Sequence, residues 1–248
     1  MNILIILKKQ VRKLQNNMTL DYPKHKNFLL QILKDIYSDI SLSPYLGFKG
    51  GTAASMFYGL NRNSVDLDFD LLVENIEQEV FEIIKNIVTN YGKLLDARIK
   101  RFSIIAIISY GLKSQNIKIE INRRNFGSKF ELKIFLGISM PVMTKEDMFA
   151  NKLMAMYERI GKTSRDIYDV FFFAKNNWQI NKTIVENRAK LPFDKVLNNC
   201  IRLLEKTDNR HILDGLGELL SEPQKNWARA KLRTETIFLL KALIESKK

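Results

Sequence analysis

The sequence predicts an α+β protein, with an N-terminal part of short strands and amphipathic helices followed by an all-helical part. Three observations carry this. "VDLDFDLLV" (65–73) alternates strictly between apolar and acidic residues, the period-2 signature of a half-buried strand. "RFSIIAIISY" and "NIKIEINRR" are two further strands joined by the short "GLKSQ", and the first is apolar enough to lie inside a sheet. After a third apolar segment, "ELKIFLGISM", which ends at Pro141, every periodic stretch has helical spacing. The expected division is therefore residues 1–142 and residues 143–248, packed together because no Gly/Ser linker separates them.

Taken in order, residues 24–40 place Phe28, Leu29, Ile32, Leu33 and Ile36 at helical spacing, and Pro44 and Gly47 mark a turn. "TAASMFYGL" reads as a short helix with Thr52 near its start and Gly59 near its end, "NRNS" as a turn, and the alternating strand comes next. A second amphipathic helix turns Ile76, Val80, Ile83, Ile84 and Ile87 inward and stops at Gly92. In the helical part, Thr144 and Asp147 fit the S/T-x-x-D/E capping pattern, Gly161 closes that helix and Ser164 is the expected N-cap of its successor. Segments around 193–206, 211–220 and 226–246 read as ordinary amphipathic helices. At the N-terminus, "MNILIILKK" reads as the first turns of another. Its lysines follow the apolar residues, the reverse of a secretory signal, and no apolar run is long enough to cross a bilayer, so a cytoplasmic location without a membrane partner is expected.

The 248 residues, 46% of them apolar, suffice for a sizeable core. Cys200 is the single cysteine, and His25 and His211 are the two histidines. Disulfides, thiolate zinc sites and Cys-His or Ser-His catalysis therefore have almost no raw material, and any metal must be a hard ion bound by oxygen. A net charge of +13 fits a polyanionic partner such as nucleic acid, although a solubility surface gives the same figure. Between Arg98 and Lys133 nine basic residues (Arg98, Lys100, Arg101, Lys113, Lys118, Arg123, Arg124, Lys129 and Lys133) stand against Glu120 and Glu131. On strands, alternate members of this run would share a face and form a basic stripe.

In the alternating strand, Asp66, Asp68 and Asp70 face one way and Val65, Leu67, Phe69 and Leu71 the other. Neighbouring carboxylates then lie about 6.6 Å apart. At an effective dielectric near 20 each adjacent pair repels by about 2.5 kcal/mol, so something positive belongs there. A solvated acidic edge strand would show the same bare D-x-D-x-D. The glycine pair Gly50-Gly51 with Thr52, at a helix start just before this strand, points instead to a ligand. Glycines let backbone approach closely, and the N–H groups of a helix start favour phosphate. No P-loop is present.

Gly50-Gly51, a short helix, and then Asp66-Leu67-Asp68 resemble the hG[GS]…[DE]h[DE] signature of the DNA polymerase β-like nucleotidyltransferase superfamily. The longer strings "FKGGTAASMFYG" and "NRNSVDLDFD" are similar to the AbiEii/MenT-type nucleotidyltransferase toxins of toxin–antitoxin and phage-defence systems. In their C-terminal region a helix with a lysine and an arginine precedes R-D-x-x-D, matched here by Lys152, Arg159, Arg165, Asp166 and Asp169. The resemblance covers residues 25–175. It implies a mixed-sheet nucleotidyltransferase domain followed by a helical domain, with Asp66 and Asp68 holding Mg²⁺ or Mn²⁺. It also implies a third carboxylate on a later strand, best matched by Glu120, as metal ligand and general base. Gly50, Gly51 and Thr52 would hold the phosphates of an NTP substrate, joined by Lys152 and Arg165, with Lys152 and Asp166 as further catalytic members. Read from spacing alone, Lys152 is also a snorkelling lysine at the margin of a packed face, and Asp166 an acid complementing a helix dipole.

The resemblance implies transfer of a nucleoside monophosphate to a hydroxyl acceptor, RNA and in some members the tRNA 3′ end, by a toxin whose antitoxin is separately encoded. Two alternatives stand beside it: a nucleotidyltransferase acting on a small molecule, as antibiotic-modifying enzymes do, and a non-catalytic nucleic-acid-binding regulator.

Overall fold

The structure, a computed structural model, describes residues 21–111 and 116–245. The "MNILIILKK" segment and Lys113 lie outside them. Seven strands form one mixed sheet in the order β3-β4-β5-β2-β1-β7-β6: β1 (Leu46–Lys49), β2 (Leu67–Leu71), β3 (Lys93–Ile99), β4 (Ser103–Ser109), β5 (Ile117–Asn122), β6 (Phe130–Phe135) and β7 (Ile138–Met143). β1–β7 and β2–β5 are the parallel pairs, and the other neighbours run antiparallel. Helices α1 (Tyr22–Ser38) and α3 (Glu77–Thr89) pack side by side on one face. Against them lie Leu67, Phe69, Ile119 and Ile121, all buried, with Phe69 tilted against the ring of Tyr37 from α1. Strand alternation then forces Asp66, Asp68, Asp70 and Glu120 onto the opposite face.

The last strand ends at Met143 and the next helix begins at Lys145. From there the described chain is helical: α4 (Lys145–Arg159), α5 (Arg165–Lys175), α6 (Lys182–Ala189), α7 (Phe193–Lys206), α8 (Glu222–Trp227) and α9 (Arg233–Glu245), the last two joined by a π-helical turn. Their apolar faces, including Phe149, Leu153, Phe173 and Leu197, continue the same buried cluster that underlies the sheet. Among the described residues no helix is long and apolar enough to cross a membrane.

The chain departs from the sequence reading in several places. Gly47 is not in a turn but inside β1, paired with Asp70, and a side chain there would drive into the Phe130 ring. "ELKIFLGISM" is not one segment but part of a hairpin. β6 and β7 meet at a two-residue loop in which Leu136 (φ 50°) and Gly137 (φ 78°) both have positive φ, as a type I′ turn requires. β3 has no apolar alternation because it is an edge strand with a register break between Leu94 and Asp96. α3 ends at Thr89, short of Gly92. Thr144 makes no capping hydrogen bond. Asp147 instead accepts from the Lys129 backbone N–H and from Asn181 Nδ2 (2.6 Å), tying the approach to β6 to the approach to α6. The segment 211–220 holds only 3₁₀ turns.

Candidate active site

The carboxylate face of the sheet forms the floor of a cavity of about 310 Å³, and α4 and α5 form its far wall. Gly50, Gly51, Asp66, Asp68, Glu120, Lys152, Arg165 and Asp166 all line it, so residues 116 positions apart in sequence share one wall system. Thr52 does not. It is buried, and its hydroxyl donates to the Asp66 carbonyl and lies 2.9 Å from Ser64 Oγ, which ties the helix start to the beginning of the acidic strand.

Gly50 opens α2 (Gly50–Tyr58) directly from the end of β1. Its φ of +80° is one that L side chains rarely adopt, and a Cβ there would overlap the Asp68 carboxylate. A Cβ at Gly51 would come within 2.6 Å of the Arg62 guanidinium. The glycines thus bring backbone N–H groups at a helix start against an aspartate pair. Gly50→Ala is expected to cut nucleotide binding at least tenfold with the fold retained, as read by calorimetry alongside circular dichroism.

Register fixes the acids. Asp68 lies opposite Glu120 on β5, and Asp66 precedes the pair Leu67–Ile119. Burial raises the Asp66 carboxyl above its usual range, and the charge of Asp68 raises it further. Two ionised aspartates so placed call for a cation. In the structure the cations facing them include Lys118, from the same face of β5, whose Nζ lies 2.6 Å from Glu120 Oε2. Burial works against the Lys118 ammonium, but its hydrogen bond to Glu120 and the charges of Asp68, Glu120 and Asp66 outweigh this and raise its pKa. Burial opposes the charge on Glu120 too, yet Lys118 keeps that carboxyl below the usual range. Among the described residues no three carboxylate, histidine or cysteine side chains converge as a finished metal cage. Lys118 holds Glu120 to itself. The donor set still fits a hard divalent cation, because Asp66, Asp68 and Glu120 supply only carboxylate oxygens on one face of adjacent strands.

Asp70 has its own partners. Lys49 Nζ (2.5 Å) and Asn122 Nδ2 (2.7 Å) donate to the same oxygen, Oδ1. Lys49 sits opposite Asp68 and reaches Asp70 along the diagonal, a contact that alternation within one strand does not reveal.

The far wall is an ion-pair cluster. Arg62, from the "NRNS" turn, is buried and donates from Nε (2.6 Å) and Nη2 (2.8 Å) to the two oxygens of Asp169. Lys152 Nζ lies 2.8 Å from Asp169 and 3.3 Å from Asp166, and Arg159 lies 2.7 Å from Asp166. Burial alone would raise the Asp169 carboxyl, but Arg62 and Lys152 hold it at about 2. Arg165 reaches toward Asp66 from the start of α5, at 3.7 Å. The role of Arg62 escaped the sequence reading because its partner, Asp169, comes from another element. A lone arginine in a turn carries no local signal, whereas strand alternation puts Lys118 on the face of Glu120.

The basic run from Arg98 to Lys133 does not make one stripe. The chain crosses the sheet between β5 and β6, so that Arg98 lies on edge strand β3 and Lys133 on the opposite edge strand β6, with five strands between them. Arg98, Arg123 and Lys133 are paired locally with Asp96, Glu77 and Glu131. The basic surface is instead the cavity itself, where Lys49, Arg62, Lys118, Arg124, Lys152, Arg159, Arg165 and Arg188 outnumber five acids.

Residues 31–236 match the family of AbiEii nucleotidyl transferase toxins of type IV toxin–antitoxin systems. The chain belongs to this family. A candidate nucleotidyltransferase from H. pylori superposes with a TM-score of 0.55 at 21% identity, over 92% of this chain and 98% of that one. JHP933 from Helicobacter pylori superposes with a TM-score of 0.54 at 20% identity, over 91% and 94%. Both share the fold. Comparison with curated protein sequences gives no match. This member of the AbiEii family is accordingly a nucleotidyltransferase of the toxin–antitoxin type, a class that implies a separate antitoxin.

Proposed function

We propose that this enzyme transfers a nucleoside monophosphate from an NTP to the hydroxyl of an RNA, the 3′ end of tRNA, and acts in the cytoplasm as a growth-arresting toxin in phage defence. The observation that carries the reading is the cavity: an aspartate pair, a glycine-opened helix start and an excess of basic side chains share one wall system. In this reading residues 1–142 carry the nucleotide and residues 143–248 close over it.

The N–H groups of Gly50 and Gly51 hold phosphate oxygens, with Thr52 fixing the helix start that presents them. Asp66, Asp68 and Glu120 would hold Mg²⁺ or Mn²⁺, which when bound supplies Lewis-acid stabilisation of charge on the phosphate under attack and on leaving pyrophosphate. Glu120, ionised at neutral pH, takes the proton of the attacking hydroxyl as its oxygen bonds to the α-phosphorus and the bridging oxygen leaves with pyrophosphate. Lys152 and Arg165 face the triphosphate from the helical side. Asp166 and Asp169 fix the Lys152 ammonium at the cavity wall.

Incubation of the purified protein with labelled NTPs, Mg²⁺ and total tRNA is expected to label RNA. No labelled RNA with any of the four nucleotides, beside a working control enzyme, would remove the RNA acceptor from the reading. Binding to RNA should weaken steeply with salt, whereas an uncharged small-molecule acceptor gives no such slope. A Lys118→Met variant loses an internal cation that competes for the acidic face. Its affinity for Mn²⁺ by calorimetry is expected to rise at least tenfold, and an unchanged affinity would dismiss that competition.

A further inference from the structure

The two edges of the sheet are built differently. β3 has a register break and carries Lys93, Asp96 and Arg98, devices that protect an edge from pairing. β6 has no register break, and its two charged residues, Glu131 and Lys133, pair with each other. Its ladder with β7 is continuous over six residues, it contains no proline, and its outer edge pairs with no strand among the described residues. Leu132 and Ile134 are each 74% exposed and Leu136, in the adjoining turn, 75%. Contiguous exposed apolar side chains on an edge whose ladder is unbroken mark an interaction surface.

We propose that this edge pairs with the same edge of a second copy of the chain, β6 antiparallel to β6, joining two seven-stranded sheets across a two-fold axis at Leu132. The strand "FELKIF" selects this partner and this register by its charges. A two-fold axis perpendicular to a continuous sheet must pass through a residue position. Centred on Leu132, Glu131 lies opposite Lys133 of the second copy and Lys133 opposite its Glu131, while Leu132 meets Leu132 and Phe130 meets Ile134 on the other face. Centring on Glu131 or on Lys133 would set like charges against each other. Glu131 and Lys133 already share a face and pair at 2.9 Å, so the two copies assemble a four-membered ion cluster. The Leu132 and Ile134 side chains lie on the carboxylate face of the sheet, beyond Phe130, and Glu131 and Lys133 on the other face, where the Tyr58 hydroxyl donates to Glu131 and Lys133 lies over the Tyr58 ring. The pairing is independent of the acceptor and of the metal.

Sedimentation velocity of the full chain over a micromolar to hundred-micromolar series is expected to show mass doubling. Lys133→Glu and Glu131→Lys should each give a monomer, and the double swap E131K/K133E should restore the dimer, with circular dichroism confirming that each variant is folded. An independent arm uses the buried state of Cys200, which leaves Leu132→Cys with the one reactive thiol among the described residues. Mild copper–phenanthroline oxidation should link two Leu132→Cys chains rapidly and two Ile134→Cys chains at least tenfold more slowly, because only residue 132 faces itself. A wild-type monomer throughout the series would overturn the proposal. So would a double swap that is folded but monomeric, or equal cross-linking rates at the two positions.

Discussion

Replacing Asp66 with Asn is expected to abolish nucleotidyl transfer, by about a thousandfold or more, while raising the melting temperature of the free protein. Asp66 loses solvent on folding and faces Asp68, and both effects lift its pKa above the ordinary 3.8. A group raised in the folded state contributes stability in full below its unfolded pKa and loses it as pH rises through the folded one. At neutral pH the ionised Asp66 therefore opposes folding, offset in part by Lys118 and Arg165. The amide of the variant carries no such cost. Its advantage in a thermal melt should be clear at pH 7 to 8, shrink as pH falls toward 4, and vanish near the unfolded pKa. Mg²⁺ or Mn²⁺ should raise the melting temperature of the wild type by mass action and leave the variant nearly unmoved. A variant both inactive and less stable at every pH would show that Asp66 holds the fold together. The sequence signal that exposed this site, acids crowded on one face, is itself the record of the conflict that the fold tolerates for function.

That signal was readable because a strand imposes period 2 on whatever it carries. β2 and β5 alternate so regularly that the faces of Asp66, Asp68 and Glu120 followed from the residues alone, and α1, α3, α4 and α5 announced themselves through apolar spacing. The elements that went unread owe their conformation to neighbours. β1 is four residues long and is a strand because β2 and β7 flank it, while Gly47 stands in it because the Phe130 ring lies over that position. In β7, Pro141 sits opposite Leu132 in the ladder, within the strand rather than at its end. The site divides in the same way. The glycines and aspartates lie within one short stretch and could be read together. The partners Lys49 on Asp70 and Arg62 on Asp169 are set by register or by contacts across 107 residues, which no local pattern encodes.

The contact across 107 residues carries the second large effect. Asp169→Ala is expected to destabilise the protein by about 3–5 kcal/mol, because it strands the Arg62 guanidinium inside a wall that gives it no solvent to replace the lost carboxylate, and leaves Lys152 with Asp166 alone. For a chain of this size that is a fall in melting temperature on the order of 10 °C, read by calorimetry. The same pair predicts the acid limb of the stability curve. Asp169 is depressed from 3.8 to about 2, so its contribution is fully present above about pH 4 and is lost as pH falls from there toward 2. Asp169→Ala should flatten that limb. Arg62→Leu should be similarly costly, since it leaves a buried carboxylate with Lys152 as its remaining ion partner. The double variant Arg62→Leu/Asp169→Leu, which removes both ends of the bidentate pair, should recover much of the loss because no charge of that pair then stays buried alone. Recovery of stability without recovery of transfer would separate two roles of this wall. It would show that the ion pairs place Lys152 at the cavity for chemistry, and that apolar packing of α4 against α5 is enough to hold the fold.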